Sequence, residues 1–597
     1  MKRKSYIVAL LACFTLGMTT SCEDMFDIES NRVVYDHEIN STSDSVYSTL
    51  GVLQCMRKVA DRYVILGEVR GDMVDINENT KTSLRNLANF NFDGDNEYLN
   101  VRDYYAIINN CNYALANMDV TLSINNQRVM MDEYVALLGI RAWTYLQLAI
   151  NYGEIPYYTY PIVTESDAEK AKKEGTKGIK EIAEDLAPQL IPYLDYDLPT
   201  FVNTRNSYPV LRLVLADLYL WSGDYENAVK CYEDYFMNNK KFSFRLSDDN
   251  GTALQSGYLG MGGRFMTWDG RDKSKPSKAP NSEDYNSTTV NATGYENLAY
   301  IRMETSGDKG VVSELGTLFR STDNTHYLSP SASWKSLNAS QVIFNLTEDE
   351  IGTKTFKYST VIGDMREDRY TSTEQISAGG GMETEVQFVT KFNTNQEQIN
   401  IYRRAIACLR WAEALNALAK EQYKMGAADS VQMAEARQNA MNSFYLLKDA
   451  SKVFFPDSSD VAKRFERFNK ELKTQFAGVH ARGCGDVHYD ETYYVLKSEV
   501  ISSRLGVDSV TFNDTIRYID ELIIDELALE SSFEGNRFGD LIRFAKRREA
   551  WGDGEYRDFL AKRVAYRGGE DAVASDQTNA LYNKLSESEE YWYLPFK

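Results

Sequence analysis

The chain has 597 residues, long enough for several domains or for one continuous helical scaffold with insertions. Its 66 Lys and Arg against 87 Asp and Glu give a formal charge of −21, a surface that repels phosphate backbones and sets the chain against nucleic acid as a partner. Aromatic residues are 12% of the chain, with 40 Tyr against 26 Phe and 7 Trp. A ring that also carries a hydroxyl suits wet binding surfaces as well as packed helices.

At the N-terminus, Lys2, Arg3 and Lys4 precede an apolar run from Tyr6 to Met18 that is too short to span a bilayer and reads as a secretory signal over residues 1–21. Thr19-Thr20-Ser21-Cys22 places a small residue directly before a cysteine and resembles a bacterial lipobox, in which Cys22 becomes the lipid-bearing (palmitate) first residue. Residues 22–50, rich in Asp, Ser, Thr and Asn, read as a polar tether. Beyond it lie Cys55, Cys111, Cys231, Cys408 and Cys484, an odd set that cannot pair completely. Cys111, Cys231 and Cys408 fall in apolar helical stretches and read as buried thiols.

Residues 51–597 read as a single mainly α domain, with a helical scaffold over 51–237 and 400–597 and a loop-rich insertion over 238–399. A helix is expected over Val52–Val69. The oxygen-rich stretches Gly71–Asn79 and Asn91–Glu97 lack the spacing of a calcium loop and read as solvated turns. Tyr104, Tyr105, Ile107, Ile108, Asn109 and Asn112 open a helical pattern, and Arg141-Ala142-Trp143-Thr144-Tyr145-Leu146-Gln147-Leu148 continues one that Gly153 should stop and Pro156 redirect. Between Leu211 and Phe236, Ala216, Leu218, Tyr219, Gly223, Asp224, Tyr225 and Ala228 resemble a tetratricopeptide unit, whose small residues let two antiparallel helices pack closely. A related helix begins near Tyr402, with Arg404, Ala405, Leu409, Trp411, Ala412-Glu413-Ala414 and Asn416.

From Asn238 to Asn400, Gly, Ser, Thr and Asn become frequent and helical periodicity fades. So long a stretch without regular helices is expected to carry function. It holds Trp268, Tyr285, Tyr295, Tyr300, Tyr327, Trp334, Tyr358 and Tyr370 and an exposed basic patch, Arg271 to Pro276. Flat rings stack on the apolar faces of sugars while amides and carboxylates bond the hydroxyls, so the binding site is placed here. Each ring has the alternative of packing beneath a loop.

Near the C-terminus, Ile516, Ile519, Leu522, Ile523 and Leu527 put an apolar stripe on a helix, with Glu526, Glu530 and Glu534 on a neighbouring face. Gly535 interrupts, and Phe538, Leu541, Ile542 and Ala545 resume the spacing with Arg537, Asp540 and Arg543 between them. This reads as a helical hairpin whose acids and arginines form a structural ion-pair network between the arms, ahead of acid/base or metal chemistry.

The run Leu529-Glu530, Phe533-Glu534-Gly535, Arg537, Asp540-Leu541 and Arg543 resembles the C-terminal signature of SusD/RagB-like proteins. The Tyr104–Asn112 pattern, the Arg141–Pro156 run, the helix after Tyr402, Gly363-Asp364-Met365-Arg366 and the closing Leu594-Pro595-Phe596 resemble other elements of that family, with Met365 standing where the family has proline. The resemblance implies about four tetratricopeptide-like helix pairs forming a scaffold with long irregular insertions. It also implies a lipid-anchored outer-membrane protein exposed on the cell surface, with Glu23, Asp24 and Asp27 matching the acidic export flank. The implied function is capture of an oligosaccharide or polysaccharide for a SusC-like TonB-dependent transporter. Asp72, Trp268, Tyr285, Tyr295, Trp334, Arg366 and Tyr370 are the expected glycan contacts.

No phosphate-binding loop, dinucleotide fingerprint or nucleophile elbow is present in the sequence. His480, Cys484, His488 and Asp490 are ligand types for zinc, but Gly483 and Gly485 break the helix that would align them. The expectation is therefore a binding protein without catalysis, metal or cofactor. The alternatives are a surface-anchored helical glycoside hydrolase or a tetratricopeptide-like adaptor for proteins.

Overall fold

The structure is a computed structural model that describes residues 39, 41–92, 94–199, 205–238, 297–320, 326–348, 356–377, 383–392, 396–425, 430–448, 453, 478–484, 494–569 and 575–596. The signal segment, Cys22, most of the tether, the basic patch, Trp268, Tyr285 and Tyr295 lie outside these residues, as do His488 and Asp490.

Helices dominate and pack as neighbours in chain order. Arg102–Asn117 lies against Thr42–Glu68 and Met131–Tyr152, and Ile179–Leu190 against Leu211–Ser222, which pairs with Tyr225–Glu233. Tyr225–Glu233 packs on Arg404–Met425, whose other neighbours are Ser430–Lys448 and Phe512–Glu530. Arg537–Ala550, Tyr556–Ala565 and Asp576–Glu587 complete the series. The ends follow local chemistry. Gly153, at φ 74°, stops Met131–Tyr152 where a residue with a Cβ would be strained. Thr511 and Asp514 form a reciprocal capping box that starts Phe512–Glu530. The architecture is the expected mainly α scaffold of paired helices.

Within the insertion the chain is more regular than its composition implies. Val342–Glu348 pairs with Phe356–Ile362, and Thr371–Ser377 with Glu383–Val389, as antiparallel hairpins. Asn297–Arg302 pairs with Gln398–Arg403, which runs directly into helix Arg404–Met425, so the insertion is closed on the scaffold by a strand pair. Val74–Ile76, inside the first stretch read as a solvated turn, pairs with Leu328–Pro330 and ties the early loop to the insertion. The closing pair is buried on both faces apart from Arg302, so its side chains do not alternate, and frequent Ser, Thr and Asn obscure the strands in the sequence.

The hairpin Phe512–Glu530/Arg537–Ala550 sits at the centre. Helix Thr42–Glu68 crosses the connecting turn so closely that a Cβ on Gly67 would stand 1.8 Å from the carbonyl oxygen of Gly535. Glu68 accepts the backbone N–H groups of Phe533 (3.2 Å) and Gly535 (2.7 Å) from the same turn. Cys55, Cys111, Cys231, Cys408 and Cys484 form no disulfide among the described residues; Cys111, Cys408 and Cys484 are buried, while Cys55 and Cys231 are half-buried. No helix among the described residues is long and apolar enough to cross a membrane.

Candidate functional site

The hairpin's charges are buried, and their partners come from distant segments rather than from the facing arm. Arg366, on the loop after strand Phe356–Ile362, is fully buried and donates to three carboxylates. It reaches Asp364 through two contacts (2.9 and 2.8 Å), Glu526 (2.6 Å) and Glu530 (3.1 Å). Arg403 donates to Glu534 (2.6 Å) and Glu530 (3.0 Å), and the Lys391 ammonium also pairs with Glu534. Arg537 makes the planar two-point contact with Asp72 (2.5 and 2.8 Å), and Arg543 makes one with Glu413 (2.7 Å each) while holding Asp540 (2.8 Å). The pairs that do join the two arms are Arg547 to Asp520 and Arg548 to Glu521. The hairpin is thus a fastener between the early loop, the insertion and the Arg404–Met425 helix. Glu526 and Glu530 share the helix face as expected, but Glu534 lies in the connecting turn beyond the helix end, and the spacing says nothing about which distant cation reaches each.

Four of the expected glycan contacts belong to this interior. Asp72 and Arg366 are occupied as described. The Trp334 ring is fully buried against Phe533, and its indole N–H donates to the Ser532 hydroxyl (2.9 Å). Tyr370 donates to the Glu530 carbonyl (3.0 Å), with the Lys391 ammonium 3.4 Å from its ring centroid. These side chains face protein rather than solvent, because the hairpin supplies each with a partner that a polar loop would otherwise find in water. His480 and Cys484 are likewise interior. The His480 ring meets the Glu526 carboxylate (2.7 Å) and stacks on Tyr494 (4.1 Å between centroids). Among the described residues, no group of three or more His, Cys, Asp and Glu is placed to hold a metal ion.

The network sets a pH dependence. Burial pushes the Glu526 carboxyl up, but the Arg366 guanidinium and His480 outweigh it and hold the group well below its ordinary value of 4.5. Against the same upward push of burial, Arg543 and Arg547 lower Glu413, and Arg537 lowers Asp72. A carboxylate whose folded-state pKa lies below the unfolded one stabilises fully above the unfolded value and loses that contribution as pH falls. The thermal midpoint is therefore expected to drop steeply as pH falls below about 4.5, and Glu526→Gln should shallow that drop. A midpoint flat from about pH 7 to about pH 3 would contradict this arrangement.

Surface recesses lie elsewhere. A cleft of about 720 Å³ is lined by Phe92, Tyr591 and Tyr593 together with Glu154, Lys546, Lys584, Glu589 and Glu590. The closing segment builds one wall. Buried Trp592 donates to the Leu585 carbonyl (2.9 Å), and the Leu594 N–H reaches the Asn151 carbonyl (2.9 Å) at the end of Met131–Tyr152. Tyr591 is 38% exposed, Lys546 pairs with Glu589, and Lys584 donates to the Phe90 carbonyl (2.7 Å). Open rings beside charged acceptors and donors suit a polar ligand with apolar faces. The sequence signal for this cleft is the aromatic cluster Tyr591-Trp592-Tyr593, directly before the closing Leu594-Pro595-Phe596. Glu413 carried a signal too, as a lone acid between Ala412 and Ala414 in an otherwise apolar stretch, a position that requires a buried cation.

Paired helices, β-hairpin insertions fastened by a buried ionic hairpin, and an aromatic cleft make up the scaffold. No family model matches the chain. SusD-like protein P2 of Formosa agariphila is 28% identical over 187 residues, a stretch covering 30% of this chain and 36% of that relative's length. A SusD superfamily protein from Bacteroides vulgatus superposes with a TM-score of 0.50 at 12% identity, covering 94% of this chain and 96% of that one. A second, from Bacteroides thetaiotaomicron, gives 0.49 at 14% identity over 90% and 98%. What the chain shares with the Bacteroides vulgatus protein over nearly its whole length is the fold of paired helices.

Proposed function

We propose that this chain is a cell-surface lipoprotein that binds an oligosaccharide or polysaccharide and passes it to a SusC-like TonB-dependent transporter in the outer membrane, without catalysis, metal or cofactor. The observation that carries the reading is the sequence similarity to SusD-like protein P2, supported by a fold likeness that spans nearly the whole chain. Residues 1–21 act as the export signal, lipid on Cys22 supplies the anchor, and the tether expected over 22–50 is shortened to the segment ahead of helix Thr42–Glu68, whose first turns already pack into the body. A frame whose charges are consumed internally leaves recognition to aromatic rings outside it. These are Trp268, Tyr285 and Tyr295 of the 238–399 insertion, with the Tyr591 cleft as a second stacking surface.

Two measurements test this. The purified chain mixed with a glycan panel should give binding heat or electrophoretic retardation without new reducing ends. Release of sugar would identify a glycoside hydrolase, and capture of a protein other than the barrel with no glycan retention would identify an adaptor. Cys22→Ala should move the protein out of the membrane fraction, and unchanged partitioning would reject the lipid anchor.

A further inference from the structure

We propose that a second pocket, between helices Arg102–Asn117 and Met131–Tyr152, binds a carboxylate-bearing sugar of the uronic acid class through Arg141. The recess is about 420 Å³, room for one or two sugar rings. Tyr134, Tyr160 and Tyr193 wall it, with Tyr134 and Tyr193 5.3 Å apart between ring centroids, and Asn112 and Gln189 supply amides. Neither Asp, Glu nor Lys is among the residues that line it, so Arg141 gives the pocket its charge.

Arg141 is 4% exposed, and its guanidinium rests on two neutral groups, the Asn112 amide oxygen (2.9 Å) and the Gln189 amide oxygen (2.7 Å). Among the described residues its Nε has no hydrogen-bond partner. The buried arginines in and around the hairpin differ, since Arg366, Arg403, Arg537, Arg543 and Arg547 each hold a carboxylate. Arg70 also rests on neutral acceptors, but it has three of them and the face of Phe538, 4.4 Å away. Among the described residues no carboxylate pairs with Arg141, Asp185 being bonded to the Gln189 amide instead (3.1 Å); a buried cation without a direct counter-charge is costly, and in a chain of formal charge −21 it marks where an anion is accepted. Asn112 and Gln189 fix the guanidinium plane, so its unused N–H groups are already ordered for a planar two-point partner. A carboxylate is such a partner, and the tyrosine walls suit the ring that carries it. The anion half of the proposal rests on Arg141 alone, while the sugar half rests on the carbohydrate-binding function proposed above.

The test is calorimetry on the full chain in detergent, titrated with digalacturonate and with neutral galactose oligomers. Digalacturonate is expected to bind, and more weakly at high salt. Gln189→Glu places a competing carboxylate on Arg141 without emptying the pocket and should weaken digalacturonate about ten-fold or more while leaving neutral oligomers unaffected. Unchanged digalacturonate binding in Gln189→Glu overturns the site. Binding of neutral oligomers but not digalacturonate overturns the site and leaves the carbohydrate reading standing, and binding of neither sinks both.

Discussion

Arg366→Leu is expected to lower folding stability by about 3–5 kcal/mol, because it removes one partner from a buried ionic cluster and leaves charge behind. Asp364 loses both of its two-point contacts, and Glu526 and Glu530 each lose a guanidinium N–H. Glu526 keeps His480 and Tyr494, and Glu530 keeps Arg403, so the penalty concentrates on Asp364. A leucine fills part of the volume but accepts none of the charge. Chemical unfolding of the two proteins measures the difference. The deficit should shrink as pH falls through the ordinary carboxylate range, where protonation removes the uncompensated charge. Lys230→Ala is the control. Its pair with Glu226 is exposed on both sides, 62% and 68%, so the change should stay within about 0.5 kcal/mol. A loss below about 1 kcal/mol for Arg366→Leu would mean that the cluster does not hold the insertion to the hairpin.

Gly67→Ala is expected to cost about 3 kcal/mol or more, at the upper end of overpacking effects. The added Cβ would meet the Gly535 oxygen at 1.8 Å, its carbonyl carbon at 2.4 Å and its Cα at 2.9 Å, all backbone atoms that no rotamer change can move aside. Gly535 itself sits at φ +94° with its own Cβ position 2.7 Å from the Tyr63 carbonyl oxygen, so the crossing cannot relax from the other side. Relief requires helix Thr42–Glu68 to lift from the turn, which would also stretch the contacts from Glu68 to Phe533 and Gly535. An alanine in a helix ordinarily stabilises relative to glycine by about 1 kcal/mol, so the sign of the effect is diagnostic. Gly554→Ala, where nothing lies within 4 Å, should be close to neutral. A stabilised Gly67→Ala would show that helix and turn do not meet as described.

The two variants probe the same hairpin from opposite sides and bracket what was legible beforehand. The apolar stripe Ile516-Ile519-Ile523-Leu527 fixes a helix, which ends at Glu530, and Gly535 fixes the turn that follows, because 3.6-residue periodicity and a positive φ are local properties. The acids on the neighbouring face announce an ionic network for the same reason. Their partners were not legible. Arg366 lies 160 residues from Glu526 and Arg403 lies 127 from Glu530, and nothing in either local sequence encodes the other. The insertion shows the converse error. Its aromatic residues were placed on a surface because their neighbours are polar, yet Trp334 and Tyr370 are buried because Ser532, Phe533 and Glu530 come to meet them.

The sequence by itself determined the helix pairs, their stops and caps, and the excess of acid, since each depends on residues within a turn or two of one another. Which charges neutralise each other, which rings stay open to solvent, and the isolation of Arg141 among neutral amides were decided only by the tertiary structure. Burial and counter-charge depend on segments that meet across more than a hundred residues of chain.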